Sequence, residues 1–177
     1  MKRERYFVLL TLTCLLVIVG CKEENESVKL PISEGELKEK LLEANRNRVT
    51  IEKNKIDMAI INLGWDLIET GTGLRFQVYK SQNGDSLKLN DLVELSYVIT
   101  YLNGDTIYSS AKEGSQFFTL GRDNIESGIH EVVSYLKVGD KAHVILPAHL
   151  AHGFMGDNQK IPSNTTLIYD LQILSVQ

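Results

Sequence analysis

Residues 93–110 read VELSYVITYLNGDTIYSS, and this stretch decides the fold. Val93, Leu95, Tyr97, Ile99 and Tyr101 recur at every second position, which turns one face of an extended strand toward a core and the other toward water. Asn103-Gly104-Asp105 follows, and Asn-Gly supplies the positive φ that a tight hairpin needs. The stretch therefore reads as a strand, a turn and the start of a returning strand.

The same period recurs on both sides. Leu74, Phe76 and Val78 alternate with polar neighbours, and FFTL at 117–120, KAHVIL at 141–146 and TTLIYDLQIL at 165–174 are further strands. One segment breaks the pattern: Ile129, Val132, Val133 and Leu136 are spaced i, i+3, i+4, i+7, and Gly139 stops the run. Antiparallel strands with one short amphipathic helix imply an α+β domain, a curled β-sheet wrapped over that helix. We place this domain at residues 65–177.

A helical extension precedes it at 34–64. Ser33 and Glu36 form a capping box, Leu37, Leu41 and Ala44 recur at helical spacing, and Ile56, Ala59, Ile60 and Leu63 continue it to Gly64. The residues leave open whether Asn45–Asn47 divides this leader into two helices. They also leave open whether it packs on its own domain or on a second copy, as a homodimer. Trp65 is expected to pack the leader against the sheet.

The first 20 residues point to export. Lys2, Arg3 and Arg5 precede a charge-free run, Tyr6 to Gly20, of about 15 residues, too short to span a bilayer as a helix and suited to a signal peptide. LVIVGC at 16–21 resembles the lipobox of bacterial lipoproteins, which implies that Cys21 is lipidated and begins the mature chain. An ordinary signal peptide with an incidental cysteine is the alternative. Residues 21–33 then form a polar tether, and KEE at 22–24 resembles a signal for display on the cell surface. The implied location is the bacterial cell envelope, lipid-anchored at the outer membrane. Cys14 would leave with the signal, so thiol catalysis and a cysteine zinc site are excluded from the mature chain. Losing residues 1–20 takes the formal charge from −4 to −6, and with no basic run a nucleic-acid partner is not expected.

Residues 146–153, LPAHLAHG, carry His149 and His152 three apart, which on a helix would suggest a metal. Pro147, Gly153 and Gly156 argue for a loop instead. No carboxylate falls at ligand spacing, so no metal or other cofactor is expected.

VELSYVITYLNGDTIYSS, LGRDNIESGIHEVV (120–133), KVGDKAHVILPAHLAHG (137–153) and KIPSNTTLIYDLQIL (160–174) together resemble an FKBP-type peptidyl-prolyl cis-trans isomerase domain over about 80 residues, in unbroken order. With the lipobox and helical leader, NIESGIHE and HLAHG are similar in particular to the FKBP-like lipoproteins associated with bacterial gliding motility. The resemblance implies a membrane-anchored prolyl isomerase acting on proline-containing peptide segments of exported proteins. A non-catalytic peptide-binding or assembly lipoprotein with the same fold is the alternative.

Matched position by position, the resemblance implies a pocket of Tyr97, Ile107, Tyr108, Phe118, Ile125, Ile129, His152, Ile161 and Tyr169, with Glu126 contributing its backbone N–H. Four of these depart from the family pattern: Ile129 stands for tryptophan, Ile107 and Tyr169 for phenylalanine, and Tyr108 for aspartate. His152 stands where the family has a tyrosine whose hydroxyl bonds a peptide carbonyl, and a neutral imidazole can donate a similar bond. Read from spacing alone, Tyr97, Phe118 and Ile129 are ordinary core, and His130 and His143 are solvated.

Overall fold

The computed structural model describes residues 32–177. The expected signal segment, Cys21 and the tether to residue 31 lie outside the described residues. Helix α1 (Glu34–Leu63) begins where Ser33 Oγ accepts the Glu36 N–H at 3.2 Å, half of the expected capping box. It runs unbroken through Asn45–Asn47 and closes at Gly64, whose N–H reaches the Ile60 carbonyl at 2.9 Å.

Residues Glu43–Gln177 form one compact unit. Its strands are β1 (Ile68–Glu69), β2 (Arg75–Lys80), β3 (Leu92–Thr100), β4 (Thr106–Ser109), β5 (Gln116–Thr119), β6 (Lys141–Leu146) and β7 (Leu167–Val176). All pairings are antiparallel, in the order β1-β2-β6-β7-β3-β4, and β5 lies beside the first half of β3 where β4 lies beside the second. Two short helices complete the unit, α2 (Ser110–Glu113) and α3 (Ser127–Val133), with a 3-10 turn at Ala148–Leu150. The curled sheet over a short helix is the fold class expected from the alternating strands.

Alternation along the central strands builds two layers of packing. Val144 and Leu146 of β6 and Leu167, Tyr169, Leu171 and Ile173 of β7 point inward with Val93 and Leu95 onto Ile129, Val132 and Val133 of α3. Ile145 and Ile168 point to the opposite face, where Ile56 of α1 covers them with only 1 % of its surface exposed. Removing this contact has a calculable scale, since a buried isoleucine cut to alanine typically costs about 2–5 kcal/mol. Arg75 adds a polar tie to the same helix. Its buried guanidinium meets Asp57 of α1 at 3.0 Å and Glu69 at 3.2 Å.

Trp65 packs in this outer cluster, as expected, and stacks on His143 with ring centroids 4.1 Å apart. Tyr79 covers the other face of the imidazole at 4.2 Å. His143 is therefore a half-buried stacked residue rather than the solvated one that strand alternation suggested. His130 is also employed: its Nδ1 accepts the Gly121 N–H at 3.0 Å, so Nε2 carries the proton and donates to the Asp123 carbonyl at 2.9 Å.

Burial pushes the His143 imidazole below its ordinary value of 6.5, and nearby Asp170 pulls the other way. The unfolded chain thus takes up the proton first, so stability falls as pH drops below 6.5 and is regained above it. Urea unfolding of the wild type between pH 5 and 8 should show this decline, and His143→Phe should flatten it; parallel profiles for the two proteins would contradict it.

Candidate active site

Residues from all four segments that resemble the isomerase pattern come together. Tyr97 stands on β3 and Tyr108 on β4, Glu126 caps α3, and His152 follows the 3-10 turn. Gly128 permits this approach, since a Cβ there would lie 2.5 Å from Leu146 Cδ2 and 3.0 Å from the Leu150 carbonyl oxygen. These side chains line a hollow of about 420 Å³ together with Ile99, Glu113, Gln116, Asp157, Gln159 and Lys160.

Not every expected lining residue reaches it. Ile107, Phe118, Ile129 and Ile161 are buried in the main core and do not line the hollow, and Ile125 packs half-buried against that core. Ile129, expected as the floor beneath a proline ring, is 1 % exposed. Tyr169 is also buried, and its hydroxyl donates to Glu126 Oε1 at 3.1 Å.

Glu126 departs most from expectation. The resemblance assigned it a backbone role, yet its carboxylate enters the hollow with 13 % of the side chain exposed. The Oε1 that accepts the Tyr169 hydroxyl also lies 2.9 Å from His152 Nε2. That partner places a proton on Nε2, so the donor expected to meet a peptide carbonyl is already engaged. His149, in contrast, is exposed and turns its Nε2 to the Thr72 carbonyl at 3.1 Å. The two histidines share no ligand, and among the described residues no group of three His, Cys, Asp or Glu is placed to hold a metal.

The far wall is polar. Asp157 Oδ1 accepts the N–H groups of Gln159 and Ile161 at 2.8 and 2.7 Å, and Oδ2 accepts the Tyr108 hydroxyl. Lys160 Nζ lies 4.4 Å from the Tyr108 ring centroid and donates to the Ile107 carbonyl at 3.2 Å. Gly156 makes the bend possible: its φ is +66° and a Cβ would sit 2.2 Å from the Ile161 carbonyl oxygen. The Asp157 hydrogen bond and burial push the Tyr108 hydroxyl up to about 12. Burial, reinforced by Glu113, raises Tyr97, and burial with Glu126 raises Tyr169 further, so all three phenols stay protonated donors at neutral pH.

Ile99, Glu113, Gln116, Asp157, Gln159 and Lys160 were not anticipated as lining residues. For Asp157 a local signal exists, an aspartate followed two residues later by the N–H it holds, the Asx-turn pattern. The others carry no such mark.

The FKBP-type peptidyl-prolyl cis-trans isomerase family description matches residues 84–174, and the chain belongs to that family. A probable FKBP-type peptidyl-prolyl cis-trans isomerase of Haemophilus influenzae is 31% identical over 113 residues, 64% of this chain and 46% of the relative. FK506-binding protein 1 of Kluyveromyces lactis is 34% identical over 104 residues, 56% of this chain and 91% of the relative. The match thus spans less than half of the Haemophilus protein and nearly all of the yeast one. Among solved structures, FkpA from Escherichia coli superimposes with a TM-score of 0.63 at 25% identity, covering 83% of this chain and 74% of that one.

Asp157 gives the site a measurable acid response. Burial pushes its carboxyl up, but the bonds from Tyr108, Gln159 and Ile161 outweigh this and leave it below the ordinary 3.8. A depressed carboxyl contributes stability that is present above 3.8 and lost as pH falls through the lower folded value. In urea unfolding between pH 5 and 2.5 the wild type should lose stability more steeply than Asp157→Asn, and equal slopes would refute the assignment.

Proposed function

We propose that the chain catalyses cis-trans isomerisation of Xaa-Pro bonds, with the hollow between β3, β4, α3 and the His152 loop as its site. The observation that carries this reading is the convergence of Tyr97, Tyr108, Glu126 and His152 on that hollow. The bond rotates over a barrier of about 18–20 kcal/mol, because twisting C–N forfeits amide resonance. Water stabilises the planar, polar amide. A site that replaces water with fixed side chains and grips the twisted form better lowers the barrier with no nucleophile, base or cofactor.

In this reading the peptide carbonyl takes the His152 Nε2–H from Glu126, and the ring faces of Tyr97 and Tyr108 hold the segment. Residues 1–21 support a finer proposal, that the domain acts from a lipid anchor on Cys21 at the outer membrane and assists folding of exported proteins. The likeness to gliding-motility lipoproteins supports clients in that machinery.

A second reading, peptide binding without turnover, is favoured by one feature. The Glu126 carboxylate sits among Tyr169, His152 and Tyr97, which puts a polar group into a site that the isomerase reading expects to be dry.

The test is the isomerisation rate of a short Leu-Pro peptide. The isomerase reading expects acceleration proportional to protein concentration, a roughly fivefold loss of kcat/KM in His152→Ala, as one hydrogen bond worth about 1 kcal/mol implies, and a several-fold gain in Glu126→Ile. A peptide bound at the hollow yet isomerised no faster than in buffer would establish the second reading instead.

A further inference from the structure

Helix α1 does more than cover the sheet. Glu52, on its inner side, directs one carboxylate oxygen at two groups far away in sequence: Oε1 accepts the Ala148 N–H at 2.7 Å and the Thr166 hydroxyl at 2.6 Å. Ala148 opens the 3-10 turn that leads to His152, and Thr166 immediately precedes β7, three residues before Tyr169. These are the two segments whose side chains meet on Glu126.

The Ala148 peptide is a hub. Its carbonyl accepts the N–H of Ala151 at 3.2 Å and of Gly153 at 2.8 Å, bracketing His152. The Gly153 carbonyl in turn accepts the Asn164 N–H at 2.8 Å, which closes the loop back toward Thr166. Nearby, the Arg48 guanidinium lies over the Phe154 ring at 5.2 Å and seats the loop on the same helix. The chain of bonds from Glu52 therefore ends at the two residues that flank His152.

We propose that Glu52 is a positioning residue for the hollow: by holding Ala148 and Thr166 on one oxygen it fixes the His152 loop against β7. The role in turnover rests on the isomerase reading, whereas the geometric role does not. A displacement of about 1 Å in a gripping group is enough to cost a hundredfold in rate, so a helix outside the hollow can control what happens in it.

The experiment uses the full chain and three variants. Glu52→Gln keeps an oxygen that can accept both bonds, Glu52→Leu removes it at similar volume, and Ile56→Ala weakens the same helix without touching the loop. Two quantities are measured well below each melting temperature: kcat/KM on a Leu-Pro peptide, and the His152 imidazole signals by NMR through a pH titration.

Glu52→Leu should lose about tenfold in kcat/KM and shift the His152 titration. Glu52→Gln should stay within about threefold of wild type, and Ile56→Ala should keep both readouts despite a lower melting temperature. If Glu52→Leu only melts earlier, with rate and His152 titration behaving as in Ile56→Ala, the proposal is overturned. If the wild type shows no isomerisation, the isomerase reading fails by itself. The His152 titration then decides: a shift confined to Glu52→Leu upholds the positioning role, and an unmoved titration overturns it.

Discussion

Strand β7 is the constraint on which the rest depends. It pairs with β6 on one side and β3 on the other, in a register that sets Tyr169 opposite both Val144 and Ile99. Its inward residues, Leu167, Tyr169, Leu171 and Ile173, form the bed for α3, and its outward Ile168 receives Ile56 of α1. A one-residue slip would exchange the two sets and break both layers at once. The same register delivers the Tyr169 hydroxyl to the base of the hollow, so packing and site are specified by one strand.

The hollow itself is a compromise between dryness and charge. Twisting an amide favours surroundings poorer in hydrogen bonds than water, yet Glu126 is a carboxylate held there by His152 and Tyr169. Both partners donate to it, which offsets the cost of placing a polar group in a part-buried site. The consequence is a site whose imidazole donor is already engaged by Glu126. His152 and Tyr169 are tied together through that one oxygen, and Glu52 acts on the same arrangement from behind.

Much of the fold was legible because it is written in short-range periods. Alternation over 93–101 and 141–146 marked β3 and β6, Asn103-Gly104 marked the hairpin, and Ile129 to Leu136 marked the region of α3. The resemblance located Tyr97, Tyr108, Glu126 and His152, which share the hollow. It did not reveal that Ile107, Phe118, Ile129 and Ile161 sit behind the wall, because an apolar residue in a strand or helix reads the same whether it lines a cavity or fills a core. Nor did it reveal the side-chain role of Glu126 or the ties from Glu52 to Ala148 and Thr166, which join residues with no sequence periodicity between them.

The central claim, that this hollow loosens an Xaa-Pro bond, is tested most directly by NMR exchange spectroscopy on a labelled proline peptide with a substoichiometric amount of the full chain. The account predicts cis-trans exchange cross-peaks within a fraction of a second, accompanied by shifts at Tyr97, Tyr108, Glu126 and His152. Absence of exchange cross-peaks while those four residues shift, or exchange with shifts only on a distant face, would contradict it.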